Sequence, residues 1–267
     1  MSEEDSKVVI ITGASSGIGA ETARRLARDG MRLTLAARRL DRLERVAAEV
    51  ESLGGQSQVV QTDVRLRSDI ERMVQATLDR WGQIDVLFNN AGLGHDDKLV
   101  RVEPDDISDE IQVNLIGAIE CAKAVLPVMI SQKSGHIVNV ASLAGLVAIP
   151  GSCVYSASKF GVIGFSDALR RELCDSGVNV SIFCPSNTPS EISPQLKAIA
   201  EGHADAPHIP GLMPITYVAD QAAELIYHPR RRVILPHTWE LLVVAAFIFP
   251  GLADKLIGSF LPKKVDK

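Results

Sequence analysis

A doubly wound α/β domain, with one parallel sheet of about seven strands and helices on both faces, is the fold this sequence predicts. Three observations carry that expectation. Short apolar runs alternate along the 267 residues with longer stretches of helical periodicity. The first run, Val8-Val9-Ile10-Ile11, passes at once into the turn Thr12-Gly13-Ala14-Ser15-Ser16-Gly17-Ile18-Gly19 and then a helical stretch. A hydrophobic content of 46% in a chain of this length suits one domain with a sizeable core. Alternation of this kind requires right-handed crossovers and hence parallel strands.

Strands are expected at 8–11, 32–36, 58–61, 86–88, 136–140, 180–183 and 232–235, and helices at 17–29, 39–53, 68–81, 105–131, 155–176 and 218–227. Ser68-Asp69-Ile70-Glu71 reads as a capping box that starts the third helix at Ser68. The stretch 185–214 holds six prolines and little periodicity. A loop that long inside a compact domain is usually functional, and here it is expected to be a substrate lid. The whole chain, 1–267, reads as one domain, closed by a hydrophobic segment at 239–261.

Composition removes several functions. A net charge of −5, with no basic helix or aromatic platform, argues against nucleic acid. Six scattered histidines without a metal-site spacing imply no metal. Cys121, Cys153, Cys174 and Cys184 form no CxxC pair, so reduced thiols are expected, with Cys153 and Cys184 as small buried fillers near the site. Met1 to Ser6 is polar and acidic and reads as no signal peptide, so a cytoplasmic protein is expected.

The chemistry is carried by Ser142, Tyr155 and Lys159. Tyr155 and Lys159 lie at i and i+4 near a helix start and share one face. A cation about 4 Å from a phenol favours the phenolate by roughly 4 kcal/mol at an effective dielectric near 20. Lys159 is therefore expected to bring Tyr155 down toward the range where a general acid works. Ser142 follows the run Ile137-Val138-Asn139-Val140 and so falls at a strand's carboxyl end, where α/β proteins place their chemistry. Taken alone, the pair also fits an ordinary amphipathic helix. The glycine turn shifts the balance: a strand-to-helix turn of this kind lets the backbone approach a pyrophosphate, with the helix N–H groups aimed at it.

Thr12 to Gly19, Asp63-Val64, Asn89-Asn90-Ala91-Gly92, Asn114, Ser142 and Tyr155-x3-Lys159 occur in the order and spacing of one family. Over nearly its whole length the chain resembles the short-chain dehydrogenase/reductases, whose fold is the Rossmann type. The resemblance implies a catalytic set of Asn114, Ser142, Tyr155 and Lys159. Tyr155 would give its proton to a carbonyl oxygen, Ser142 would hold that oxygen, and Lys159 would tune Tyr155 and bind the nicotinamide ribose. Asn114 would anchor a water leading from the lysine to solvent. The cofactor set it implies is Gly13, Ser15, Ser16, Gly17, Ile18, Gly19, Arg38, Arg39, Asp63, Val64, Asn90, Ala91, Gly92, Tyr155, Lys159, Pro185, Thr188 and Ser190. A purely structural part for Asn89 and Asn90 in their turn stays open beside this.

Cofactor choice rests on the end of the second strand. Where an acidic residue would meet an adenosine ribose 2′-hydroxyl, this chain has Ala36-Ala37-Arg38-Arg39. Arginine grips a 2′-phosphate with charge-assisted hydrogen bonds, so NADP(H) is expected, with Arg38 the leading contact and Arg39 the second.

Two departures bear on substrate. Relatives usually read Pro-Gly-x-Val-x-Thr after the sixth strand, whereas this chain reads Pro185-Ser186-Asn187-Thr188-Pro189-Ser190, closer to 3-ketodihydrosphingosine reductases. After Arg230 to Pro236 comes the apolar stretch Trp239 to Leu261, similar to that of 11-beta-hydroxysteroid dehydrogenases. Its uninterrupted apolar run, Leu241 to Phe249, falls well short of the roughly 18 residues that span a bilayer. An interfacial helix pair flanked by Trp239 and Lys263-Lys264, or packing in a homodimer or homotetramer, or a pocket wall are the open readings. The expected function is an NADP(H)-dependent interconversion of a ketone and a secondary alcohol on an apolar, lipid-like substrate. A 3-oxoacyl thioester reductase is the alternative, and a non-catalytic NADP-binding sensor or scaffold is the alternative of another class.

Overall fold

The structure is a computed structural model that describes residues 6–192, 194–202, 209 and 211–258. Parts of the expected lid (193, 203–208 and 210) and of the carboxyl-terminal segment (259–261, Lys263, Lys264) lie outside the described residues.

All seven expected strands form: β1 (Val8–Thr12), β2 (Arg32–Ala37), β3 (Gln56–Gln61), β4 (Val86–Asn89), β5 (Gly135–Val140), β6 (Val178–Cys184) and β7 (Arg232–Ile234). They make one parallel sheet in the order β3-β2-β1-β4-β5-β6-β7. The α-helices of the described residues are α1 (Gly17–Ala27), α2 (Leu40–Ser52), α3 (Arg67–Trp81), α4 (Pro104–Ile111), α5 (Gly117–Gln132), α6 (Cys153–Glu172), α7 (Pro194–Ala200), α8 (Ile215–Tyr227), α9 (Glu240–Ile248) and α10 (Pro250–Gly258).

The run Val8 to Ile11 is apolar without alternation because both faces of the sheet are covered. Successive residues point to opposite sides. Val9 and Ile11 pack with Leu33, Leu35, Ala23, Leu26 and Ala222 on one face. Ile10 joins Leu87, Ile137, Met73, Val125 and Met129 on the other. The strand order reverses between β1 and β4, the switch point beyond which such sheets bind ligands. The glycine turn follows β1 there and Asn90-Ala91-Gly92 follows β4.

Four expectations need correction. The helix foreseen over 105–131 is broken by a π-helical turn, Gln112–Ile116, which separates α4 from α5 and turns Asn114 inward, 1% exposed. Single π turns of this sort gather at functional sites, and side-chain periodicity cannot reveal one extra residue per turn. The capping box does not form: Leu66 is the N-cap of α3, and Ser68 lies inside the helix. Asp69 instead accepts the backbone N–H of Asp63 at 2.9 Å, tying the helix start to the chain leaving β3. The proline-rich stretch after β6 is not wholly irregular, since it contains α7. Cys153 is exposed rather than a buried filler, whereas Cys184 is buried as expected.

Candidate active site

One hydroxyl ties the two turns at the switch point together. Thr12 Oγ1 accepts the backbone N–H of Asn90 at 2.9 Å and of Ala91 at 3.0 Å, while Asn90 Nδ2 donates to the Thr12 carbonyl at 3.0 Å. Asn89 Nδ2 donates to the Ala118 carbonyl at 2.7 Å and to Asn139 Oδ1 at 3.1 Å, so Asn89 is bound into the scaffold. The turns approach so closely that a Cβ at Gly13, where φ is +68°, would stand 2.9 Å from Ala91 Cα. At Gly19 one would stand 2.6 Å from the Gly13 carbonyl oxygen. These glycines leave the start of α1 bare. Its N-cap, Ser16, makes no side-chain cap, so the first N–H groups of the helix stay available beside Gly17 and Ile18. Such a cradle fits a dinucleotide pyrophosphate, and the residues present match that group.

Next to the cradle, Arg39 lies over the glycine turn. Its Nη2 donates to Ser16 Oγ at 2.8 Å and to Ser15 Oγ at 3.1 Å, and its Nη1 reaches Glu191 Oε2 at 2.6 Å. Arg42 holds the other Glu191 oxygen, and Ser16 Oγ also donates to Glu191 Oε2 at 3.1 Å. Partial burial works against ionising Glu191, but Arg42 and Arg39 hold its carboxyl down at about 2. Arg38, the residue placed first from the sequence, is exposed and lies on the side of Asp63. Asp63 is paired with Arg65 at 2.7 Å, which holds its carboxyl below the usual range. Val64 packs on the start of α5, where a Cβ at Gly117 would stand 2.8 Å from Val64 Cγ2.

From the cradle a cavity of about 850 Å³ runs toward the carboxyl-terminal helices. Ile18, Asn90, Gly92, Ser142, Tyr155, Lys159, Pro185, Thr188 and Ser190 all line it. Ser142 sits two residues past β5 and caps the turn Leu143–Gly145, with its Oγ accepting the Ala144 N–H at 3.1 Å. The Ser142 hydroxyl also hydrogen-bonds the Tyr155 phenol. Lys159, 3% exposed, donates to the Val140 carbonyl at 3.0 Å, with Nζ 5.6 Å from the centre of the Tyr155 ring. Asn114 closes the corner: its Nδ2 donates to the Leu93 carbonyl at 2.8 Å and to Ser158 Oγ at 3.1 Å, while its Oδ1 accepts the Leu93 N–H at 2.9 Å.

A family model described as short chain dehydrogenase matches residues 7–199. The chain belongs to the short chain dehydrogenase family. It is 34% identical over 260 residues to the ketoacyl reductase HetN of Nostoc sp., covering 95% of this chain and 89% of that protein. Among solved structures it is similar to a short chain dehydrogenase/reductase of Burkholderia phymatum in complex with NAD. There the TM-score is 0.83 and the identity 28%, over 94% of this chain and 96% of that one. It is also similar to a short-chain dehydrogenase of Sphingobium yanoikuyae in complex with NADPH, with TM-score 0.77 and 29% identity over 98% of each chain.

In this short chain dehydrogenase the electrostatics of the site depart from the sequence expectation. Burial pushes the Tyr155 phenol well above its usual value, and the Ser142 hydrogen bond opposes the rise only in part. Lys159 does not offset it, because burial lowers the ammonium itself to about 8 and its proton is directed at the Val140 carbonyl. The desolvation of a phenolate outweighs a cation that is also desolvated. Cys184, fully enclosed behind the site, is pushed up to about 12 by burial and is a filler rather than a nucleophile.

The structure adds groups that the sequence did not single out: Arg42 and Glu191 beside Arg39, and Glu110 behind Asn114. None of the three belongs to a local motif, and Glu191 reaches the site from a distant part of the chain, while Thr12, already part of the glycine motif, gains its part as the clasp. The apolar wall is also partly new. Leu143, Val147, Ile149 and Leu196 join Trp239, Leu242, Val243 and Phe249 around the cavity.

Proposed function

We propose that this chain is an NADP(H)-dependent oxidoreductase that reduces a ketone to a secondary alcohol, and runs the reverse, on a long apolar substrate. The observation that carries this reading is the cavity, whose polar floor of Ser142, Tyr155 and Lys159 sits under walls that are mostly apolar. When bound, the reduced nicotinamide supplies the hydride to the carbonyl carbon. Ser142 donates to the carbonyl oxygen and stabilises the charge that grows there. Tyr155, kept protonated by burial, breaks its O–H bond and passes the proton to that oxygen. Lys159 then restores the phenol, while Asn114 holds the corner around Ser158 and Leu93. Gly13, Ser15, Ser16, Gly17, Ile18 and Gly19 cradle the pyrophosphate, with Asn90, Ala91 and Gly92 beside the ribose. Asp63 and Val64 flank the adenine, and Pro185, Thr188 and Ser190 face the nicotinamide. Arg39, backed by Arg38 and Arg42, takes the 2′-phosphate; the NADPH bound by the Sphingobium protein supports the choice of NADP(H).

Helices α9 and α10, bent by 116° at Phe249, form the far wall and act with the segment after β6 as the lid. Trp239 and Val243 pack onto the cluster of Leu143, Ile163 and Ile182, which supports the pocket-wall role. The outer side of the pair leaves Leu241 and Phe247 80% and 90% exposed, a face suited to a second subunit or a lipid surface in the cytoplasm. Two substrate forms fit. The apolar wall favours a free long-chain ketone of the sphingoid or steroid type. The likeness to a ketoacyl reductase favours a 3-oxoacyl thioester.

The test is turnover of butanone, tetradecan-2-one, a steroid ketone and a 3-oxoacyl thioester with NADPH, by the full chain and by a truncation after His237. Selective loss of the long substrates in a folded truncation supports the wall as an access element. Equal loss of short and long substrates in a folded protein would refute it.

A further inference from the structure

Glu110 is a buried carboxyl that the chemistry above leaves unused. It lies in the last turn of α4 and is 0% exposed. Neither of its oxygens has a hydrogen-bond partner at good geometry among the described residues. The backbone N–H of His95 lies near enough to favour its ionised form without closing a hydrogen bond. A carboxyl left unpaired inside a protein costs stability, so its retention there calls for a reason beyond packing.

Its surroundings supply one. Glu110 stands one helical turn before Asn114, and the intervening π turn packs α4 against α6, which carries Tyr155 and Lys159. Asn114 Oδ1 and Lys159 Nζ both approach Gly92, where a Cβ would lie 3.3 Å from the first and 3.5 Å from the second. The titratable groups facing Glu110 are His95 and Asp96 from the loop after β4, Asp106 from its own helix, and Lys159 and Tyr155 from α6. His95 is partly exposed and lies 3.7 Å from Asp106, so this side of the cluster reaches solvent.

Resting on the reading that Tyr155 and Lys159 perform the proton transfer, we propose that Glu110 is the internal proton store that recharges that pair after each reduction. In a turnover the Tyr155 proton goes to the substrate oxygen. Lys159 returns a proton to the phenolate and is left neutral. The Glu110 O–H bond breaks and its proton crosses to Lys159 on a water molecule taken up beside Asn114, which receives that proton and hands one on, and the carboxylate regains a proton from solvent on the His95 side. Charge balances, because one solvent proton enters for each hydride delivered. Burial raises the Glu110 carboxyl to about 7, with Asp96 and Asp106 adding to the rise and Lys159 opposing it, so near neutral pH it can both give and take a proton. Glu110 touches no substrate; it acts through Lys159.

Glu110→Gln preserves shape and removes the proton. In rapid mixing of the NADPH-loaded enzyme with tetradecan-2-one, the first turnover should stay within about twofold of the parent, since Tyr155 starts protonated. Steady-state kcat at pH 6 should fall by about tenfold, below the general-acid range because solvent recharges the pair more slowly. KM should hold, and the inflection of kcat near pH 7 should vanish. Glu110→Asp should restore an inflection. Independently of any variant, an infrared carboxylic-acid band in the parent should titrate near pH 7. A packing role alone would lower the melting temperature and leave the inflection, which overturns the proposal, as does a parent with no titrating band. Tyr155→Phe separates the levels. If it is dead while Glu110→Gln keeps the parental profile, only the Glu110 proposal falls. If it stays active, the Ser-Tyr-Lys assignment falls first.

Discussion

Replacing Arg39 by alanine should change the enzyme's cofactor preference, and the structure sets the size of the effect. The guanidinium is oriented before any ligand arrives, by Ser15 Oγ at 3.1 Å and Ser16 Oγ at 2.8 Å. A 2′-phosphate would take the place of Glu191, now 2.6 Å from Arg39 Nη1. Each charged hydrogen bond is worth about 1.5–3 kcal/mol, and an arginine can offer a phosphate two. The side chain is 40% exposed, and its bond to Glu191 must break, so much of the gross gain is lost to solvent screening and exchange. A net of about 2 kcal/mol remains, or roughly 30-fold in Kd. Titration by cofactor fluorescence at fixed low salt should show that loss for NADPH with Arg39→Ala and a change within about twofold for NADH. Arg38→Ala should cost NADPH less. Glu191→Gln, which removes the competing carboxylate, should tighten NADPH severalfold. Equal losses of both cofactors with Arg39→Ala, or a larger NADPH loss with Arg38→Ala, would refute this assignment.

Other outcomes follow from burial. Because Lys159 sits at about 8, the ammonium that restores Tyr155 is lost as pH rises through that value, and kcat for reduction should decline above about pH 8; a flat profile to pH 10 would exclude Lys159 from the proton path. His136 is buried against Ser181 at 2.7 Å, and burial lowers it to about 4. Its folded pKa lies below the unfolded one, so only the unfolded chain takes up a proton between about pH 6.5 and 4. Stability should therefore fall on acidification across that window, by up to about 3 kcal/mol. Urea unfolding of His136→Gln, measured at pH 7 and pH 4.5, should show a smaller acid loss than the parent; an unchanged loss would refute the assignment.

The sequence by itself determined the strands and their parallel direction, because apolar runs and glycine turns are local signals. Val8 to Ile11 can only be a strand covered on both faces, and Gly13 to Gly19 can only be a turn that lets backbone approach backbone. Ser142, Tyr155 and Lys159 were equally legible, since a strand end and a helical i, i+4 spacing fix where those groups point. Tertiary structure decided the rest. The π turn at Asn114 depends on how α4 and α5 pack against α6 and leaves the side-chain pattern unchanged. The placement of Arg39 over the glycine turn involves Glu191, more than 150 positions along the chain from it. The raised Tyr155 phenol and the unpaired Glu110 carboxyl depend on solvent exclusion, a property of the closed fold that no stretch of sequence carries. Spacing fixes which groups meet, and burial fixes their protonation state, because the free energy of a charge depends on everything packed around it.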